Sequence, residues 1–161
     1  MANTYTQIDI HLVFAVKGRE SLIRKEWQAD LYKYITGIVQ NHKHKMLRIN
    51  GMPDHIHIFI GYDPVQPLPK LVEEIKTSSN AFIKSNKFTS FKFAWQNGYG
   101  AFSHSKSQRD TVIQYIANQE MHHRKKTFKA EYLEMLQKFE VEYNEKYLFD
   151  FVDLDNQDFP D

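Results

Sequence analysis

The chain of 161 residues has no cysteine, which excludes disulfides, thiolate metal sites and thiol nucleophiles. Glycine and proline are sparse, 6 and 5 residues beside 14% aromatics, so a collagen-like or disordered chain is excluded as well. No apolar run approaches the ~18 residues of a membrane span. The start, MANTYTQIDI, lacks the basic and apolar regions of a signal peptide. These absences predict a soluble cytoplasmic protein with no membrane partner. With 42% apolar residues the chain can bury one core without staples. We expect a single domain over residues 1–149 and an acidic tail over residues 150–161.

The net charge of +1 hides an uneven distribution. The last twelve residues, DFVDLDNQDFPD, carry five Asp and no Lys or Arg, which leaves 21 basic against 15 acidic residues in the body. A basic body favours a polyanionic partner, and a one-signed terminus often behaves as a tail.

Apolar spacing divides the body into elements. Residues 5–16 alternate as a strand with Ile8, Ile10, Leu12 and Phe14 on one face. Trp27, Leu31, Tyr34, Ile35, Ile38 and Val39 mark an amphipathic helix over residues 24–42. Residues 45–52 and 55–62 read as a hairpin about a Gly51-Met52-Pro53-Asp54 turn, and residues 69–85 as a second helix with proline in its first turn. A short strand is expected at 91–95, another extended segment at 99–104 after Asn97-Gly98, and helices at 108–123 and 129–144. The order β-α-β-β-α-β predicts an α+β fold of ferredoxin-like, RRM-like type. Its split β-α-β antiparallel sheet would have helices on one face and a later helix bearing Tyr115. Such a fold hosts many activities, so the site must name the function.

The strongest local signal is Asp54-His55-Ile56-His57-Ile58-Phe59-Ile60. Strand alternation puts His55 and His57 on one face and the three isoleucines on the other, in the core. The pair is either two exposed strand histidines or two ligands of one cation. In the later helix, Tyr115 and Gln119 lie one turn apart on one face. Gln119 offers a neutral oxygen ligand, and Tyr115 a phenol of reference pKa ~10 that attacks only when activated. Alone, the two read rather as a half-buried aromatic and a solvated amide.

Together these segments resemble the HUH endonuclease superfamily, and within it the small single-tyrosine transposases of IS200-like insertion sequences and their REP-associated relatives. The resemblance spans roughly residues 5–145. It rests on Asp54-His55-Ile56-His57, on the segment from Trp95 to Ser103, and on Tyr115-Ile116-Ala117-Asn118-Gln119. It implies that His55, His57 and Gln119 hold Mg²⁺ or Mn²⁺. It also implies that Tyr115 attacks single-stranded DNA to leave a 5′-phosphotyrosine and a free 3′-hydroxyl. A homodimer with the tyrosine helix acting in trans, and recognition of a hairpin near the element end, are implied as well. Lys106, Arg109, Arg124, Lys125 and Lys126 flank the tyrosine helix and suit phosphate contacts; Arg124 to Lys126 also suit a plain helix C-terminus. His122 and His123 are read as phosphate-facing or solvated, and His11 and His104 as structural or surface residues. Phe91, Phe93 and Trp95 are assigned to the core ahead of base stacking.

Three rival readings share parts of this pattern: an HUH relaxase or replication nickase, a domesticated repeat-processing protein, and a non-catalytic nucleic-acid-binding module. Tyr99 is the nearest rival nucleophile, but it follows a turn and has no Gln partner one turn on.

Overall fold

Two amphipathic helices and four short strands follow from the apolar spacing, and the chain builds them in the expected order. The computed structural model describes residues 3–158. Strands β1 (Asp9–Ala15), β2 (Lys45–Met52), β3 (His55–Gly61) and β4 (Gly100–His104) form one antiparallel sheet in the order β2-β3-β1-β4. Helix α1 (Lys25–Asn41) joins β1 to β2, and α2 (Leu68–Ser85) joins β3 to β4. The central strand β3 thus lies between the two strands that α1 connects, the split β-α-β arrangement.

One sheet face is the main core. Leu12 pairs with Ile58 and Phe14 with Ile56 across β1 and β3. These residues pack with the buried stripes Leu31, Ile35 and Val39 of α1 and Leu71, Ile75 and Ile83 of α2. The other face carries His11, His57 and Phe59, and it is covered too. Helices α3 (Arg109–Ala117), α4 (Gln119–His123) and α5 (Phe128–Lys138) lie over it, and Phe59 forms a second small core with Val112 and Ile116.

Three expectations are corrected. Residues 91–95 form no strand: Phe91 is 68% exposed, and only Trp95 bridges to Val16, while Phe93 and Trp95 are buried. The helix over 108–123 divides at Asn118, because the Asn50 amide donates to the carbonyls of Ile116 (2.9 Å) and Ala117 (3.3 Å) and caps α3 early. The last long helix stops at Lys138. Glu140 turns left-handed at φ 54, and the Val141 amide closes back on the Leu136 carbonyl at 2.9 Å.

The Trp95 to Gly100 segment is a structural clamp. Trp95 Nε1 donates to Ser79 Oγ (3.0 Å), and Gln96 Nε2 donates to the carbonyls of Val16 (2.9 Å) and Asp150 (2.7 Å). Lys76 Nζ donates to the carbonyls of Gln96 (2.8 Å) and Gly98 (2.7 Å). The acidic segment, as far as Asp158, lies on the body. Phe149 is buried, and Phe151, Val152 and Leu154 pack against the core. Asp158 accepts from Arg19 (2.9 Å) and Arg24 (3.1 Å). Among the described residues no helix is long and apolar enough to cross a membrane.

Candidate active site and metal centre

The two strand histidines, for which an exposed position is one expectation, are fully buried beneath α3 to α5. Their Nε2 atoms stand 3.2 Å apart, and Gln119 Oε1 lies 3.3 Å from His55 Nε2. A carboxylate that the sequence reading did not single out completes the group. Glu131 Oε1 lies 3.1 Å from His57 Nε2, 3.3 Å from His55 Nε2 and 3.2 Å from His123 Nε2. Glu131 Oε2 accepts from the Tyr115 hydroxyl in a short hydrogen bond and from Gln119 Nε2 at 3.2 Å. One carboxylate therefore joins the tyrosine to the imidazoles.

The imidazoles are aimed from behind. His55 Nδ1 donates to Asp54 Oδ1 (2.7 Å), and its ring stacks on Phe128 at 3.8 Å. His57 Nδ1 is bonded to His11 Nε2 (2.7 Å). Each Nδ1 is thus occupied, which leaves both Nε2 atoms directed at the cluster. His11 is the structural residue expected, with a specific task.

The hairpin needs its glycine here. A Cβ on Gly51 would stand 2.3 Å from the His55 carbonyl oxygen.

Helix α3 is fixed at both ends. Arg109 makes a fork to buried Asp9, Nε to Oδ2 at 2.9 Å and Nη2 to Oδ1 at 2.8 Å, while Asn50 holds the C-terminal carbonyls. Arg109, expected on phosphate, is committed to this pair. Lys106, Arg124, Lys125 and Lys126 are exposed, with Lys126 beside Glu134.

The charges are coupled. Burial would lower His55, but Asp54 and Glu131 outweigh it and push its pKa up to about 9. Burial dominates at His57 and holds it below the usual histidine value. Burial would raise Glu131, yet the histidines keep it far below the carboxylate range. Tyr115 is raised by burial and by the neighbouring Glu131 charge, so its phenol is protonated at rest.

Could this group hold a cation? The ligand atoms of His55, His57, His123 and Glu131 all lie within 4.8 Å of one another. Such a mixed imidazole and carboxylate set suits a divalent first-row ion.

The model of the family described as "Transposase IS200 like" matches residues 4–119, which contain the strand histidines, Tyr115 and Gln119. The chain belongs to the IS200-like transposase family. The ISDra2 transposase TnpA of Deinococcus radiodurans is 24% identical over 118 residues, covering 70% of this chain and 84% of the relative. Two solved structures share the fold. A Deinococcus radiodurans protein assigned as a transposase gives a TM-score of 0.58 at 22% identity, covering 74% of this chain and 95% of its own. A REP-associated tyrosine transposase bound to a REP hairpin gives a TM-score of 0.57 at 13% identity, covering 76% and 73%.

For an IS200-like transposase, two features of this chain stand out. His123, expected to be solvated or phosphate-facing, has a side chain only 4% exposed and turns inward, because the break at Asn118 re-aims α4. Its Nε2 also reaches Gln119 Oε1 at 3.0 Å. The second feature is the tyrosine helix, expected in trans. Here Tyr115 stands against His57 of its own chain, ring centroids 6.0 Å apart.

Proposed function

We propose that this IS200-like transposase cuts and rejoins single-stranded DNA through Tyr115, at a divalent-cation site made by His55, His57 and Gln119 with Glu131 and His123 beside them. One observation carries the reading: a single carboxylate, Glu131, touches the Tyr115 hydroxyl and all three imidazoles in one hollow. A bound cation supplies Lewis-acid polarisation of the phosphoryl oxygens. A set containing imidazoles favours Mn²⁺ over Mg²⁺, which prefers an all-oxygen shell.

The residues divide the remaining work. Asp54 and His11 fix the imidazoles, and Glu131 orients the Tyr115 hydroxyl. The phenol is a poor nucleophile while its pKa is raised, so its proton must leave as the bond to phosphorus forms. Glu131 Oε2 holds that hydroxyl in the free protein, but the histidines depress its pKa too far for it to keep the proton, which ends on the departing 3′-oxygen. The Tyr115 Oη–P bond forms, the P–O3′ bond breaks, and the 3′-oxygen takes a proton. The ester so formed keeps the bond energy for rejoining by a later 3′-hydroxyl.

The substrate reading, a single strand with a hairpin near the cut, is supported by the structural relative that is bound to a REP hairpin. The resemblance carries a homodimer that shares tyrosine helices. We take the site to be complete within one chain, since Arg109 and Asn50 hold α3 against its own sheet.

The test is covalent capture. Wild type with 3′-labelled single-stranded element ends should give a shifted, protease-sensitive band on a denaturing gel. Tyr115→Phe keeps the ring and should give none. A covalent band surviving in Tyr115→Phe overturns the assignment.

A further inference from the structure

Tyr115 separates two hollows of different character. On one side is a space of about 430 Å³ bordered by Asn118, Met121, His122, Lys125 and Lys126, the two lysines exposed at its edge. On the other, between α3 and α5, lies a space of about 250 Å³ walled by Val112, Met135 and Phe139, with His11 and His104 as its floor. Both hollows share Tyr115, Glu131 and Glu134. The exposed lysines on the first side suit a sugar-phosphate backbone. The other side has no role in the chemistry described above, and its walls are apolar and aromatic.

We propose that the hollow between α3 and α5 receives the base of a nucleotide flanking the scissile phosphate. This rests on the DNA-cleaving reading above and names a subsite of the same site. Three observations support it. The space lies below the ~300–1,000 Å³ of ordinary small-molecule pockets, which suits one planar base. Phe139 and His104 stand edge to face with centroids 5.3 Å apart, so ring surfaces are presented at two orientations. Among the described residues His104 Nε2 is buried without a hydrogen-bond partner, an unanswered polar group at the floor of this hollow. A phosphate held at the Tyr115 hydroxyl, with its backbone running past Lys125, sets the adjoining base beside this opening. Extruded bases are held in this manner, by stacking together with edge hydrogen bonds.

The test measures fluorescence anisotropy of the full chain with two labelled ligands: oligothymidylate of about twelve nucleotides, within the usual single-strand site range, and an abasic strand of equal length. Phe139→Leu should weaken oligothymidylate roughly tenfold, the scale of one stacked base, and leave the abasic strand unchanged. Thr111→Phe, at an exposed helix position on the rim, fills the hollow without removing core packing and should do the same. It keeps the test decisive if Phe139→Leu misfolds. Lys125→Ala should weaken both strands equally and flatten the salt dependence. Unchanged oligothymidylate affinity in both Thr111→Phe and a folded Phe139→Leu overturns the subsite while leaving the tyrosine chemistry standing. If wild type binds neither strand, the subsite fails, while the tyrosine chemistry is judged separately by covalent capture on element ends.

Discussion

Replacing Glu131 by glutamine keeps the shape of the side chain and removes one charge from the centre of the site. The carboxylate accepts at Oε2 from Tyr115 and Gln119, while Oε1 faces three imidazole Nε2 atoms at 3.1 to 3.3 Å. An amide can serve only one of these sides as acceptor. Its NH₂ must turn toward the histidines, and the charge that offsets His55 is lost. Breaking a buried charge pair in this way costs about 3 kcal/mol, which for a chain of this length lowers the melting midpoint by about 6–12 °C. The larger signature is in metal response. At a Mn²⁺ concentration 100 times the dissociation constant, wild type gains about 2.7 kcal/mol, a rise of about 5–11 °C. Losing even an outer partner of a metal ligand weakens binding ~10–100-fold. At the 100-fold end the same Mn²⁺ adds only about 0.4 kcal/mol, or about 1–2 °C. Differential scanning fluorimetry of both proteins, with MnCl₂ and with EDTA, reads this difference directly. A Mn²⁺-induced rise in Glu131→Gln equal to or larger than that of wild type would refute the idea that Glu131 supports the cation site. It would then only block the site in the free protein.

Two further outcomes follow from the same contacts. Because Tyr115 meets its own chain's histidines, mixing Tyr115→Phe with His57→Ala subunits should restore no cleavage; recovery on the denaturing gel would establish the trans arrangement instead. At the tail, burial would raise the Asp158 carboxyl, but the Asp155 amide and the Arg19 and Arg24 guanidiniums outweigh it and hold it below the ordinary carboxylate value. Its contribution is therefore fully present above the unfolded value of ~3.9 and is lost as pH falls through the lower folded value. Asp158→Asn should cost about 1 kcal/mol at neutral pH, since both arginines are half exposed. It should also open residues 150–158 to limited proteolysis, and unchanged protection would show that Phe149 and Phe151 alone hold the segment.

The strand and helix order was legible because each element has one wet and one dry face, or two dry ones. The alternation of Ile56, Ile58 and Ile60 against His55 and His57 places the histidines away from the core helices, and they are there. What alternation could not disclose is that a second helical layer closes over the histidine face. That layer depends on contacts across about 100 residues, such as Arg109 with Asp9, which no local pattern reports. Residues 91–95 misled for the opposite reason. Their alternating aromatics read as a strand, but β4 takes the edge position beside β1, leaving only the Val16–Trp95 bridge. For Glu131 a signal was present. On α5 the buried positions are Phe128, Glu131, Tyr132 and Leu136, so a carboxylate occupies the apolar stripe of an amphipathic helix. A charge there needs a partner. His123 gives a weaker sign, one turn beyond Gln119 on α4, and the break at Asn118 that turns it inward depends on Asn50 from a distant strand.

Those distant contacts explain how a polar cluster survives under a closed layer. His55, His57, Gln119 and Glu131 are all buried, an arrangement that costs stability unless every polar atom is answered. The two strand imidazoles are each answered twice, once by an orienting group behind and once by Glu131 in front. The helix bearing the nucleophile is held at its two ends by the sheet and touches the cluster only near its C-terminus. Tyr115 is consequently less buried than His55, His57, Gln119 and Glu131, and with Glu131 it borders the hollows on both sides. A strand of DNA can reach its hydroxyl without α3 leaving the sheet, provided only that the hydrogen bond to Glu131 is given up. The division is physical: a buried, hydrogen-bonded imidazole and carboxylate cluster below, and above it a half-buried tyrosine that, on the proposed reading, exchanges a carboxylate for a phosphate.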